Sequence, residues 1–415
     1  MKSTKHLLIG AGLASNRAAK QLRDKDPDAS ITLVGEEPAA PYNRPPLSKE
    51  FLRGEKEEEK LLFDPKQMYI DKRIDLVLGA AVEGLDPAAK TAKVAGGEEI
   101  RFEKAFIATG GRPISLVVPG GDLEGVYSLR TLEDTKRIAA EAGPDKRAVI
   151  VGAGFIGMEI AASLTLMGVK VDVIEAESRI WSRFTDESLS GFFEGYCSER
   201  GVTFHTRERV AEIRGGGGGE GRASSVIMES GVELPCDFVC VAIGIVPNVE
   251  LARDAGLEVD NGIVVNDLLQ TSDPDIYAGG DVANYPDPVF GKRRRVEHWG
   301  HAGYCGTLAG QNMAGAENRY DHLTSVWSDV FDLKLLFAGD ESEYDRVLVR
   351  GKYEDGSFTV FYLRGNVMRA YFGINANFKE LRTFQGLIRS GQDLSGKETQ
   401  LQETAFDVKE LLPAM

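Results

Sequence analysis

One strand–turn–helix pattern occurs twice in this chain. The first copy reads HLLIGAGLASNRAAKQL followed by ITLVGEE, the second RAVIVGAGFIGMEIAASLTLMG followed by VDVIEAE. Each is an apolar run, a glycine turn, a helical stretch and a second apolar run, the opening of a parallel βαβ unit. The turns lie about 142 residues apart, counted from Gly10 to Gly152. The pattern predicts two separate dinucleotide-binding domains.

In the first turn Gly10 permits the tight bend, and Gly12 lets the backbone approach a pyrophosphate at the start of the next helix, with Leu13, Ala14 and Ser15 in its first turn. Ser15 stands where the fingerprint has glycine or alanine, a small departure that close helix–strand packing should survive. Glu36 follows Gly12 by 24 residues and ends the next strand, where a carboxylate can accept bonds from ribose hydroxyls. The second turn, Gly152, Gly154 and Gly157, is a full match, with Phe155 and Ile156 opening its helix. Glu175 follows Gly154 by 21 residues, and a carboxylate there repels a 2′-phosphate, so NADH is expected over NADPH. Arg179 and Arg183 lie close by, and an arginine could instead hold a 2′-phosphate.

Two fingerprints imply two nucleotides, one a bound flavin and the other a diffusing nicotinamide. Ala108, Thr109 and Gly110 end a strand in small residues that let chain and cofactor pass closely. Ile243 and Gly244 end a second such strand. Gly280 and Asp281 place a carboxylate after a glycine turn, suited to ribityl hydroxyls. Residues 297–313 read as a helix whose positive N-terminal end would favour reduced flavin, with His298 and His301 in its first turn. Ser48 is expected to cap a helix beginning at Lys49, and Pro45 with Pro46 to hold Arg44 in an extended segment.

At 415 residues the chain has room for two or three domains. From about residue 322 the glycine motifs stop, and RVLVRGKY, FTVFYLRG and VMRAYFGI read as meander strands before a helix at FKELRTFQGLIRSG. The glycine run in residues 213–223 reads as a flexible hairpin loop. A net charge of −15 argues against general nucleic-acid binding. The four cysteines have no metal-ligand spacing, so no metal is expected, and Cys236 and Cys240 read as buried thiols. No apolar stretch reaches the ~18 residues of a membrane span. The lysine-flanked apolar N-terminus is read as a first strand rather than a signal peptide, and the expected location is cytoplasmic.

With these motifs in this order, the chain resembles the FAD-dependent pyridine-nucleotide oxidoreductases over nearly its whole length. The segment Pro41-Tyr-Asn-Arg44-Pro-Pro-Leu-Ser-Lys49 resembles the signature of NADH–ferredoxin reductase components of oxygenase systems, shared with apoptosis-inducing-factor-like flavoproteins. Further matches are residues 129–132, Val296-Glu297-His298-Trp299 and Trp327-Ser328-Asp329. The resemblance implies FAD contacts at Gly10, Gly12, Glu36, Arg44, Lys49, Val82, Arg130 and Asp281. It implies NADH contacts at Gly152, Gly154, Ile156, Gly157 and Glu175. Lys49 and Glu159 match a lysine–glutamate pair beside the flavin ring, and either Trp299 or Trp327 matches the family's tryptophan. Val330 and Leu336 depart from the pattern, standing where glutamines are frequent.

The expected fold is α/β: two Rossmann-like domains and a small α+β C-terminal domain. The FAD domain is expected at 1–114 and 247–321, the NADH domain at 115–246 and the C-terminal domain at 322–415. Residues 37–60 contain no cysteine, which excludes the disulfide-reductase and single-cysteine peroxidase branches. Electrons must then leave flavin directly for an external acceptor, a [2Fe–2S] ferredoxin or similar carrier. Lys292 and Arg293, Arg294 and Arg295 form a local basic run suited to docking it. The other reading is an apoptosis-inducing-factor-like NADH sensor with slow turnover. Either a monomer or a dimer fits the sequence.

Overall fold

A computed structural model describes residues 1–216 and 221–413 and divides into two compact units. The first comprises Met1–Asn43, Glu58–Arg112 and Val246–Thr324; the second comprises Arg44–Glu57, Pro113–Ile245 and Ser325–Met415.

The first unit is built on a seven-stranded sheet. Strands Ile74–Leu78, Ile31–Gly35, Lys2–Ile9 and Glu99–Ile107 run parallel in that spatial order, and Ile276–Ala278 joins the last of them, also parallel. Thr91–Val94 and Val82–Asp86 extend the other part of Glu99–Ile107 antiparallel. Leu7, Leu8 and Phe106 are fully buried, as strands that read as continuous apolar runs require. Helix Leu13–Lys25 lies directly against helix Trp299–Met313. Glycine makes that approach possible: a Cβ on Gly306 would stand 2.1 Å from the Ala14 carbonyl oxygen.

The second unit repeats the plan. Val202–Thr206, Lys170–Glu175, Arg147–Val151, Phe238–Val241 and Val126–Ser128 form a five-stranded parallel sheet in that order. Helix Phe155–Leu166 follows the glycine turn. Strand Val210–Gly215 pairs antiparallel with Ala223–Met228, so the strands flank the expected glycine loop; its residues 217–220 lie outside the described residues. The C-terminal segment forms a five-stranded antiparallel sheet, with Phe378–Ser390 as the expected helix. An aromatic core joins this sheet to the parallel one, with Trp181 and Phe193 each about 6.1 Å from Phe372. Val330 is fully buried in that core, which accounts for an apolar residue at this departure from the pattern.

Cys236 and Cys240 are buried, as expected. Two local expectations fail. The expected helix beginning at Lys49 is absent: Pro45–Ser48 form a single 3-10 turn that Lys49 terminates, and Arg44 is helical rather than extended. Proline suits a first helical position because its missing N–H has no partner to lose there. The later helix begins at Trp299 rather than 297, with the His298 Nδ1 accepting from the Gly300 N–H at 3.1 Å.

Candidate functional site: two cradles and a buried ion pair

The first cradle follows from strand register. Ile9 pairs with both Val34 and Ile107, and Ile107 pairs with Ala278, so four strand ends stand in a row. Within two residues of these ends come Gly10, Glu36, Ala108 and Gly280. Gly10 has φ +105°, and a Cβ there would stand 2.3 Å from the Ala108 carbonyl oxygen. Gly12 caps the helix in an extended conformation, and a Cβ on it would meet nothing within 4 Å. The space in front of the helix is therefore open, and the amides of Leu13, Ala14 and Ser15 have no earlier turn to bond to. The Ser15 hydroxyl is buried with no protein partner.

Around this cradle Glu36 is exposed, and Thr109 and Asn248 exchange hydrogen bonds of 2.7 and 2.9 Å that hold the Ala108–Gly110 strand end. Gly280 has φ +74° and turns the chain to Asp281, which is half-buried. Trp299 has a buried indole N–H without a protein partner. An open helix start, an orphaned hydroxyl and an orphaned indole N–H are donors awaiting a ligand, and they fit a dinucleotide with a pyrophosphate. Val82 lies on the antiparallel extension of the same sheet. His301 is fully buried, stacked on Tyr285, and burial pushes its imidazole down to about 3. It is a neutral packing residue. Glu297 pairs with Arg295 ahead of the helix.

The second cradle has the same geometry. Gly152 has φ +101°, and a Cβ there would meet the Ala242 carbonyl oxygen at 2.6 Å. Gly154 caps its helix with nothing within 4 Å of a Cβ. Gly157 differs from Ser15 in kind: a Cβ on it would stand 2.0 Å from the Gly152 carbonyl oxygen. Glu175 spans the turn, its two oxygens accepting from the Ala153 and Glu177 N–H groups at 2.8 Å each. Ile156 and Ile243 are exposed beside it, and Gly244 has φ +114°. Phe155 is wedged against Trp181 and Phe184. Arg179 is occupied by Thr185, Ser190 and the carbonyls of Ser182 and Asp186, while Arg183 is exposed.

Arg44, Lys49 and Arg130 belong to the second unit rather than to the one that carries the first cradle. Arg44 donates to the Arg130 carbonyl. Lys49 and Glu159 are each 5% exposed and form an ion pair at 2.8 Å. Trp327 is 38% exposed, with its ring centroid 5.3 Å from the Lys49 ammonium. Trp327 thus accompanies the pair, and Trp299 accompanies the first cradle. Sequence reasoning missed Ser48 and Ser328, whose hydroxyls both donate to Glu159. Ser328 sits inside a motif that the sequence matches without giving this residue a role, and the sequence suggests a helix cap at Ser48.

The basic run is engaged within its own unit. Arg294 pairs with Asp287 at 3.3 Å, Arg295 with Glu297, and Arg293 donates to the Val265 and Asn284 carbonyls. Among the described residues no cluster of histidine, cysteine and carboxylate groups could hold a metal, and no helix is long and apolar enough to cross a membrane.

Residues 4–306 match the family model described as pyridine nucleotide-disulphide oxidoreductase, and residues 325–412 match the reductase C-terminal model. The chain is 37% identical over 374 residues to a probable ferredoxin reductase, CtmF, of Castellaniella defragrans, covering 89% of this chain and 90% of that one. It is 33% identical over 372 residues to putidaredoxin reductase CamA of Pseudomonas putida, covering 89% and 88%. The ferredoxin reductase for the CYP199A2 system from Rhodopseudomonas palustris superimposes with TM-score 0.93 at 31% identity, covering 99% and 100%. The reductase of a covalent putidaredoxin reductase–putidaredoxin complex gives TM-score 0.93 at 31% identity, covering 99% and 98%.

Proposed function

The chain belongs to the pyridine nucleotide-disulphide oxidoreductase family, and from that membership we propose that it is an NADH-dependent flavoprotein reductase delivering electrons to a [2Fe–2S] ferredoxin or similar small carrier. The observation that carries this reading is the pair of open glycine cradles, each backed by a carboxylate one strand away. The cofactors are FAD and NAD(H). Bound FAD supplies the redox chemistry, a hydride in from NADH and electrons out singly.

The protein supplies position and electrostatics. We assign FAD to 1–114 with 247–321 and NADH to 115–246, with 322–415 as the C-terminal domain. The helix-start amides and the Ser15 hydroxyl bind the FAD pyrophosphate, Glu36 the ribose and Asp281 the ribityl chain. Gly154 and its helix start bind the NADH pyrophosphate. Glu175 accepts from the adenosine ribose and repels a 2′-phosphate, and Arg179, already occupied, offers that phosphate no partner. We place the Lys49–Glu159 pair and Trp327 beside the flavin ring, where the ammonium favours the electron-rich form. For the ferredoxin we propose the surface of Lys292 and Arg293 as the steering patch, because these two residues of the basic run are exposed. Four unpaired buried thiols agree with a reducing, cytoplasmic location.

Stopped-flow mixing tests the whole reading. Purified protein reconstituted with FAD should bleach on NADH addition and reoxidise rapidly with an acidic ferredoxin. Slow reoxidation by every carrier offered would favour the sensor reading. A folded protein that cannot take up FAD would refute both.

A further inference from the structure

Glu159 is held by more than its ion pair. One carboxylate oxygen, Oε1, accepts from the Lys49 ammonium at 2.8 Å and from the Ser328 hydroxyl at 2.5 Å. The other, Oε2, accepts from the Ser48 hydroxyl. The hydroxyls come from chain segments 111 and 169 positions away from Glu159. We propose that Ser48 and Ser328 are positioning residues that lock the Glu159 carboxylate, and through it the Lys49 ammonium, in the orientation the redox site uses. The inference rests on the reading that the Lys49–Glu159 pair stands beside the flavin.

A lysine ammonium is a point charge on a flexible stem, so one ion pair sets its distance and not its direction. A carboxylate with one hydroxyl on each oxygen cannot rotate about its terminal bond without losing both hydrogen bonds, and it then presents Oε1 to Lys49 along a fixed line. Ser48 is itself anchored. Ser163, one helical turn beyond Glu159, donates to the Ser48 carbonyl at 2.7 Å. Positions four apart share a helix face, so the two side chains grip Ser48 together. Ser328 is buried on its strand while Trp327 faces the other way, toward the ammonium. One strand therefore orients the acid with one residue and flanks the base with the next.

The surrounding charge explains why an added lock matters. Glu50, Arg53, Asp329 and Lys334 add further charge around the pair. Burial pushes the Asp329 carboxyl up, against the pull of Lys49 and with Glu159 and Glu50 adding to the rise. Lys49 thus has a second acid within its field, and the serine hydroxyls select Glu159 as its partner. In hydride transfer the pair itself gains and loses no atoms. The serines act only through geometry.

The test uses the full-length, FAD-loaded protein and five variants: Ser48→Ala, Ser328→Ala, the double change, Ser328→Thr and Lys49→Met. The readouts are the midpoint potential of the flavin by dye equilibration and the limiting rate of reduction at saturating NADH. The alanine variants should keep FAD content and the KM for NADH. Their limiting rate should fall about tenfold each, the weight of one charged hydrogen bond. Their potential should move in the direction set by Lys49→Met, and Ser328→Thr should restore both readouts. If Lys49→Met changes rate and potential and the serine variants change neither, the positioning role is refuted and the pair's placement stands. A loss in Ser328→Ala that threonine fails to restore marks packing and also refutes it. If Lys49→Met alters nothing, the pair is not beside the flavin and the inference falls with that placement. Should Ser48→Ala fail to fold, the Ser328 pair of variants decides the question.

Discussion

Gly154→Ala is a sharp perturbation because the structure separates its effect on the chain from its effect on the ligand. Gly154 has φ −77° and ψ −175°, a conformation alanine adopts freely. A Cβ there meets nothing within 4 Å. Removing glycine at a compatible site reduces the freedom of the unfolded chain and stabilises by roughly 0.4–1 kcal/mol. The apoprotein should therefore be slightly more stable. The added methyl, however, occupies the space through which a pyrophosphate approaches the helix-start amides. Losing one hydrogen bond to a charged phosphate costs about 1.5–3 kcal/mol, or roughly 10- to 100-fold in affinity. Gly157→Ala provides the contrast. Its Cβ would lie 2.0 Å from the Gly152 carbonyl oxygen, so the turn itself must open. An overpacked site of this kind costs about 1–3 kcal/mol of stability. Denaturant titration of the apoprotein and NAD⁺ or NADH titration of the FAD-loaded protein measure the two quantities. Unchanged NADH affinity in Gly154→Ala, or lower stability in it than in Gly157→Ala, would refute the reasoning.

Glu175→Ala should narrow the preference for NADH over NADPH by on the order of 1–3 kcal/mol, read as the ratio of kcat/KM values for the two coenzymes; an unchanged ratio removes Glu175 from coenzyme choice. Stability should fall on acidification because two buried histidines stay neutral. Burial, then Lys5, holds His6 down to about 4, and burial holds His301 down to about 3. Both folded values lie below the unfolded ~6.5, so the unfolded chain takes up protons first, and stability present above pH ~6.5 is lost as pH falls through and below it. At pH 5 the loss is about 2 kcal/mol per histidine, and His6→Phe should flatten the slope of unfolding free energy between pH 7 and 5; an unaltered slope counts against it. Lys292→Glu should slow reduction of an acidic ferredoxin at low salt while sparing ferricyanide, and the difference should shrink as ionic strength rises; equal ferredoxin rates at low salt would place the docking surface elsewhere.

The two glycine turns by themselves determine the fold class and both cradles, because their requirements are local. A positive φ with a carbonyl 2.3 or 2.6 Å from an absent Cβ is a demand on a few consecutive residues, and glycine alone meets it. The parallel strands were legible for a similar reason, since burial on both faces leaves continuous apolar runs. The Glu159 clamp was not legible. Its members come from residues 48, 49, 159 and 328, and no spacing rule connects a serine to an acid 169 positions away. Ser48 before a run of helix formers resembles a cap, and only its tertiary partner shows that the hydroxyl is used elsewhere. The basic run shows the same limit from the opposite side. Four consecutive cations are visible in the sequence, but whether each faces solvent or a carboxylate such as Asp287 depends on which strands the chain folds back to meet. Backbone conformation is a property of neighbours in sequence, whereas the partner of a charged or hydroxyl side chain is a property of neighbours in space.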